Sequence, residues 1–308
     1  MKVLVVSGFL GAGKTTFIKA LAQKTKREIA ILENEYAHVG VDGDRLKNEL
    51  EDEKINIWEL TEGCICCSTK KDFASSILTI ANSIDPEILV VEPTGVAKLS
   101  NVMESIKQLE YERISVLPPI TIVDGYSFDK FLGDYPSVFK NQLLGSDKIV
   151  VSKFERADTW EKSNLAHYIQ EINGSANIYL DHYSSFPLVW WQGILEKGDE
   201  ESKIIDNGSD KDELPENFSI NNTALSSIGE LVMVLEALMR GVYGDIIRAK
   251  GSLEINGEQV EFDVVEGRYS ILMDASLTKC SVIFIGKGIQ RQRLRKIFLA
   301  NSEKFIIR

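Results

Sequence analysis

Residues 3–15 read Val3-Leu4-Val5-Val6-Ser7-Gly8-Phe9-Leu10-Gly11-Ala12-Gly13-Lys14-Thr15. The apolar run at its start predicts a buried strand, and Gly8 to Thr15 fits the phosphate-loop pattern G-x-x-x-x-G-K-[ST] at every fixed position. Glycines let the backbone bend around an anion so that its N–H groups point at phosphate oxygens. Lys14 can reach the terminal phosphates, and Thr15 can hold Mg²⁺ through its hydroxyl. Residues 16–25 read as a helix whose positive N-terminus faces the same anion. The expected ligand is a nucleoside triphosphate. Gly8, Gly11, Ala12, Gly13, Lys14, Thr15 and Thr16 are its candidate contacts.

Outward from the loop, short β-branched runs alternate with amphipathic stretches, the pattern of a parallel sheet covered on both faces. Strands are expected at 2–7, 28–32, 56–60, 88–91, 120–123, 148–151 and 177–180, and helices at 14–25, 73–84, 99–108, 128–131 and 160–172. The fold class is therefore α/β, a P-loop NTPase with a mainly parallel sheet, plus a smaller α+β C-terminal domain. The P-loop domain is placed at 1–195 and an acidic linker at 196–218. The C-terminal domain is placed at 219–308. From Glu196 to Glu216 there are nine acidic residues against three lysines. Beyond it, helices are expected at 225–239 and 290–299 and strands at 246–253, 259–265, 269–273 and 281–285, with a turn at Asn256-Gly257. The Trp190-Trp191 pair reads as core at the junction of the two domains.

Bulk properties narrow the function classes. A net charge of −11 argues against a general nucleic-acid binder. No run approaches the length needed to span a bilayer, and 3–6 is too short for a signal-peptide core. Free cysteines beside a nucleotide site point to a reducing compartment, hence the cytoplasm.

Three of the four cysteines fall in Gly63-Cys64-Ile65-Cys66-Cys67. Such crowding suits a thiophilic ion such as Zn²⁺, which takes Cys sulfur at about 2.3 Å. With at most three thiolates, a fourth ligand comes from elsewhere or is water. Two other readings stay open: cysteines packed under a strand, and a redox pair (Cys66 with Cys67, or Cys64 with Cys67). Ile88-Leu89-Val90-Val91-Glu92-Pro93-Thr94-Gly95 looks like the acidic strand of a phosphate-loop enzyme. Glu92 would hold the Mg²⁺ hydration shell or orient the attacking water, and an N–H near Gly95 would sense the γ-phosphate. Lys14 and Glu92 are the candidate catalytic residues. Ser152-Lys153-Phe154-Glu155 resembles the guanine-reading motif N-K-x-D, with Glu155 as base acceptor, or else is an ordinary strand end. Between them, 33–42 occupies the place of a switch segment, where Glu33 and His38 are metal-ligand candidates or simply solvated groups.

G-F-L-G-A-G-K-T-T, E-N-E-Y, G-C-I-C-C and E-P-T-G, in this order and spacing, resemble the CobW family of phosphate-loop GTPases, relatives of the urease and hydrogenase nickel-insertion GTPases. Asn141-Gln142-Leu143 with Asp147, Arg248-Ala249-Lys250-Gly251 and Val282-Ile283-Phe284-Ile285-Gly286 are similar to the same family, so the likeness covers nearly the whole chain. The resemblance implies a GTP-hydrolysing metallochaperone using GTP and Mg²⁺. Its transition ion (Zn²⁺ first, Co²⁺ or Ni²⁺ next) would sit on Cys64, Cys66 and Cys67, with Glu33 or His38 as further ligands. It implies delivery to a client metalloprotein or corrinoid protein, with a homodimer among the expected assemblies. The chain departs from the family at Tyr36-Ala37-His38, where Phe-Gly and then often an acid are usual, at Glu62, where Asn is usual, and at Glu155, where Asp is usual. The expected mechanism is a switch: the triphosphate draws 33–42 and 92–95 inward and arranges the cysteine loop, and hydrolysis loosens it. The alternatives are a P-loop small-molecule kinase and a non-catalytic nucleotide- and metal-responsive interaction protein.

Overall fold

The computed structural model describes residues 1–33, 73–111, 113–196, 214–265, 267–273 and 280–299, and the backbone alone of 55–59 and 70–72. These fall into two compact units that divide between residues 213 and 214.

In the first unit the described strands run β1 (Lys2–Gly8), β2 (Ile29–Glu33), β3 (Ile55–Glu59), β4 (Ile88–Glu92), β5 (Ser115–Val116), β6 (Ile120–Asp124), β7 (Lys148–Ser152) and β8 (Asn177–Tyr179). Their order across the sheet is β3-β2-β4-β1-β6-β7-β8, with β5 beside β1. Every pairing is parallel. Helices α1 (Lys14–Thr25), α2 (Lys70–Ser83), α3 (Leu99–Lys107), α4 (Phe128–Asp134), α5 (Pro136–Leu144), α6 (Thr159–Ile172) and α7 (Leu188–Gly193) join or cover them.

Successive side chains of a strand point to opposite faces, and β1 shows both faces filled. Val3 and Val5 enter one core with Ala30, Leu32, Leu89 and Val91, beneath Ile77 and Val102 of α2 and α3. Leu4 and Val6 enter the other with Phe17, Ile18 and Leu21 of α1. Trp191 belongs to that second core and lies 5.1 Å, centroid to centroid, from Phe17. Trp191 is therefore core of the first unit, behind α1, with Trp190 half-buried against it. A capping box starts α6: the Asp158 side chain accepts from the Glu161 N–H, and Glu161 returns the bond to the Asp158 N–H.

Four elements are absent from the sequence expectation, the first being β5, too short at two residues to carry a pattern. Helix α5 opens on Pro136 at its first turn, a position where the missing N–H is harmless, yet its polar end hides its periodicity. Helix α7 is too short for a periodic signal. Strand β9 (Glu216–Asn221) begins three residues inside the stretch read as linker, alternating buried Phe218 and Ile220 with exposed neighbours.

In the second unit the sheet order is β12 (Arg268–Met273), β11 (Glu258–Val265), β10 (Asp245–Ile255), β13 (Ser281–Lys287), β9, all antiparallel. Asn256 and Gly257, at φ 53° and 84°, close the β10–β11 hairpin with the two positive φ angles of a type I′ turn. Helices α8 (Ile228–Met239) and α9 (Arg291–Leu299) share one core with this sheet through Leu231, Leu235, Leu294 and Phe298. No helix among the described residues is long and apolar enough to cross a membrane.

Candidate functional site

The loop between β1 and α1 turns at Gly13, whose φ of 94° lies where a Cβ would be strained. Phe9 anchors it, its ring 4.3 Å from that of Phe131 and 5.3 Å from that of Tyr135. Lys14 is only 6% exposed, and its Nζ donates to the Phe9 carbonyl at 3.3 Å. Thr16 is exposed in the first turn of α1.

Two carboxylates close the cleft opposite the loop. Glu33 and Glu92 end the neighbouring strands β2 and β4 and are paired in register. The Thr15 hydroxyl donates to the Glu92 carboxylate, 3.0 Å from Oε1 and 3.1 Å from Oε2. Lys14, Thr15, Glu33, Glu92, Pro93, Thr94 and Gly95 line one cleft. The hydroxyl and carboxylates supply hard oxygen donors, the chemistry that suits Mg²⁺. Thr94 is 2% exposed, and its hydroxyl has no hydrogen-bond partner among the described residues. Gly95 packs so tightly that a Cβ there would sit 2.5 Å from the Leu10 nitrogen.

The end of β7 braces the loop from the other side. Ser152 Oγ lies 2.6 Å from the Ala12 carbonyl, to which it donates, and 3.3 Å from that of Val123. Lys153 sits at φ 56°, and its Nζ donates to the Gly11 carbonyl at 2.5 Å while pairing with Asp124 Oδ2 at 3.2 Å. In a trans peptide the C=O and N–H point opposite ways. Holding the carbonyls of Gly11 and Ala12 on the β7 side therefore turns the N–H groups of Ala12 and Gly13 the other way. Glu155 lies beside His182, Nε2 to Oε1 3.7 Å. Burial first, and then the Glu155 charge, push the Tyr183 phenol above its ordinary range.

The structure thus brings Gly11, Ala12, Ser152 and Lys153 together on one side of the loop, and Thr15, Glu33, Glu92 and Gly95 on the other. His38, Cys64, Cys66 and Cys67 lie outside the described residues. The strand leading to the cysteines is placed, however. β3 ends at Glu59, in register with Glu33, which is in turn in register with Glu92. Asp124 was not expected from the sequence. It is 3% exposed, and its Oδ1 accepts from the N–H groups of Tyr126 and Ser127 while Oδ2 holds Lys153. The available signal was its position at the carboxyl end of a strand, where ligands of such sheets gather.

Two family models match the chain: "CobW/HypB/UreG, nucleotide-binding domain" over residues 2–180, and "Cobalamin synthesis protein cobW C-terminal domain" over residues 216–301. The chain is 27% identical to the zinc chaperone YjiA of Escherichia coli K12, covering 96% of this chain and 97% of that protein. It is 23% identical to the zinc-regulated GTPase metalloprotein activator 1 of Saccharomyces cerevisiae, covering 98% and 83%. Among solved structures, Zn(II)-bound YjiA GTPase from E. coli aligns at a TM-score of 0.47 and 20% identity, covering 97% of this chain and 98% of that one.

Proposed function

The chain belongs to the CobW/HypB/UreG family, and on that premise we propose that it is a GTP-hydrolysing metallochaperone that binds Zn²⁺ and delivers it to a client metalloprotein. The observation that carries this reading is the convergence of Thr15, Glu92 and Gly95 on the phosphate loop in one cleft, with Thr15 and Glu92 3.0 Å apart. The relatives are a zinc chaperone and a zinc-regulated GTPase, which supports zinc as the cargo.

The roles follow from position. The backbone N–H groups of Gly11, Gly13 and Lys14 cradle the phosphates, while that of Ala12 donates to the Phe9 carbonyl, which the Lys14 side chain leaves for the terminal phosphate oxygens. Thr15 and Glu92 would hold Mg²⁺, which would supply the positive charge that neutralises the terminal phosphates. Glu92 also orients the attacking water. The Thr94 hydroxyl and the N–H of Gly95 are donors for the γ-phosphate. Glu155 accepts from guanine N1–H and the 2-amino group, with the Lys153 stem alongside the ring. Cys64, Cys66 and Cys67 take the cargo ion, with Glu33 or His38 completing its shell.

Coupling between nucleotide and metal runs through adjacent strand ends. Glu92 faces the γ-phosphate, Glu33 leads into the switch segment, and β3 leads into the cysteines. A triphosphate that repositions the first two acts one strand away from the third. The test is Zn²⁺ affinity by competition titration with GDP and then with a non-hydrolysable GTP analogue, repeated on Cys66→Ser. Tighter binding in the triphosphate state that is lost in the variant is expected. Affinity that ignores the nucleotide sinks the gating mechanism.

A further inference from the structure

The loop after β4 is held from behind by a residue that the mechanism above does not use. Gln142, in the last turn of α5, is 1% exposed, and its Nε2 donates to the Gly95 carbonyl at 3.1 Å and the Ala97 carbonyl at 3.0 Å. Its own backbone is fixed. The Gln142 carbonyl accepts from Thr121 Oγ1 at 3.0 Å and Ser146 Oγ at 2.7 Å. Next to it, Asn173 Nδ2 donates to the carbonyls of Leu143 at 2.8 Å and Ser146 at 3.0 Å. Residues 93–97 are therefore clasped between the phosphate loop, where Gly95 meets Leu10, and an immobilised helix end.

The clasp is costly in one respect. Gln142 Oε1 is buried without a hydrogen-bond partner among the described residues, and an unsatisfied buried acceptor lowers stability. A methionine would fill the same space without that cost. What the amide adds is direction. Pinning the carbonyls of Gly95 and Ala97 toward α5 fixes the backbone that directly follows the Gly95 N–H, the γ-phosphate donor proposed above. We infer that Gln142 is a positioning residue for the γ-phosphate: by binding the Gly95 and Ala97 carbonyls, it fixes the loop after β4 so that the Thr94 hydroxyl and the Gly95 N–H keep their places in the cleft. GDP lacks that phosphate, so the effect is confined to the triphosphate. The inference rests on the GTPase reading.

The experiment compares Gln142→Met and Gln142→Glu with the wild type, using Ser100→Ala as a control. Ser100 bonds to the neighbouring Asn141 (Asn141 Nδ2 to Ser100 Oγ 2.9 Å; Ser100 N–H to Asn141 Oδ1 3.1 Å) and so breaks an adjacent link while leaving the clasp. Affinities for GDP and for a non-hydrolysable GTP analogue are measured on each, together with kcat and KM for GTP. Expected in Gln142→Met are GDP affinity within threefold of wild type, analogue affinity about tenfold weaker, which is one to two net hydrogen bonds, and kcat at least tenfold lower. Ser100→Ala should retain the wild-type ratio of the two affinities. If Gln142→Glu fails to fold, Gln142→Met still decides. An unchanged affinity ratio and kcat in Gln142→Met overturn the inference, as does an equal loss for both nucleotides in step with Ser100→Ala. A wild-type chain that does not hydrolyse GTP overturns the enzymatic reading separately, and the affinity ratio then judges Gln142 by itself.

Discussion

Gly95→Ala tests how closely the loop after β4 is packed on the phosphate loop. A Cβ at position 95 would lie 2.5 Å from the Leu10 nitrogen and 2.8 Å from Leu10 Cα and Cδ2. Carbon atoms pack at about 3.5–4.0 Å, so the loop must retreat by roughly 1 Å from its present place. Leu10 cannot yield cheaply, because the closest atom is backbone. Retreat on the other side meets the Gln142 amide, already 3.0–3.1 Å from the two carbonyls. Overpacking of this kind costs about 1–3 kcal/mol, which for a unit of this size lowers the thermal midpoint by about 2–4 °C per kcal/mol. The catalytic effect should be larger than the stability effect. A 1 Å misplacement of a group that positions the reacting phosphate can cost about 100-fold in rate. Steady-state phosphate release should therefore show kcat for GTP about 100-fold lower, while GDP affinity by fluorescent-nucleotide titration stays within threefold. A kcat within threefold of wild type and an unchanged thermal midpoint would refute the packing described here.

Three further outcomes are expected. Trp191→Ala empties the fully buried site behind Phe17 and should destabilise the chain by about 3–5 kcal/mol; denaturant unfolding followed by circular dichroism would refute this with a loss under ~1 kcal/mol. Asp124→Asn removes the charge that holds Lys153 against the Gly11 carbonyl. Because a hydrogen bond to a charged group contributes about 1.5–3 kcal/mol, it should weaken GDP and GTP-analogue binding alike by at least tenfold, and a selective loss of one nucleotide would contradict it. Tyr183 keeps its proton in the folded state above the pH at which the unfolded chain loses it, through burial first and Glu155 second. Its contribution is fully present below about pH 10 and falls as pH rises through the folded value. Tyr183→Phe should flatten the fall of thermal midpoint above about pH 10, and an identical slope would contradict the assignment.

What was legible in the sequence was written locally. The phosphate loop needs glycines, a lysine and a threonine at fixed offsets, and it stands where residues 8–15 placed it. Glu92 was recognisable because an acid closed an apolar strand, and the structure sets it at the end of β4 against Thr15. What escaped depends on contacts far apart in the chain. Gln142 entered only as part of a family likeness, and its role appears when Gly95, 47 positions earlier, is seen beside it. Asp124 gains its meaning from Lys153, a pairing that no spacing rule supplies. Strand β9 was obscured by the acids before it, although Phe218 and Ile220 alternate as a half-buried strand requires.

The parallel sheet sets an order of assembly for this chain during synthesis. Strand β1 is made well before its neighbours β4, paired at Ile88–Val91, and β6, paired at Ile120–Ile122. Such distant pairings close slowly, because a long loop must be ordered before any contact rewards it. The anion cradle of residues 8–15 is finished later still, when Ser152 and Lys153 arrive to fix the carbonyls of Ala12 and Gly11. A nascent chain therefore carries its nucleotide signature at residues 8–15 but cannot use it until residues 152 and 153 have been made. Occupancy by nucleotide, which stabilises only the folded state, then marks a chain whose central sheet has closed.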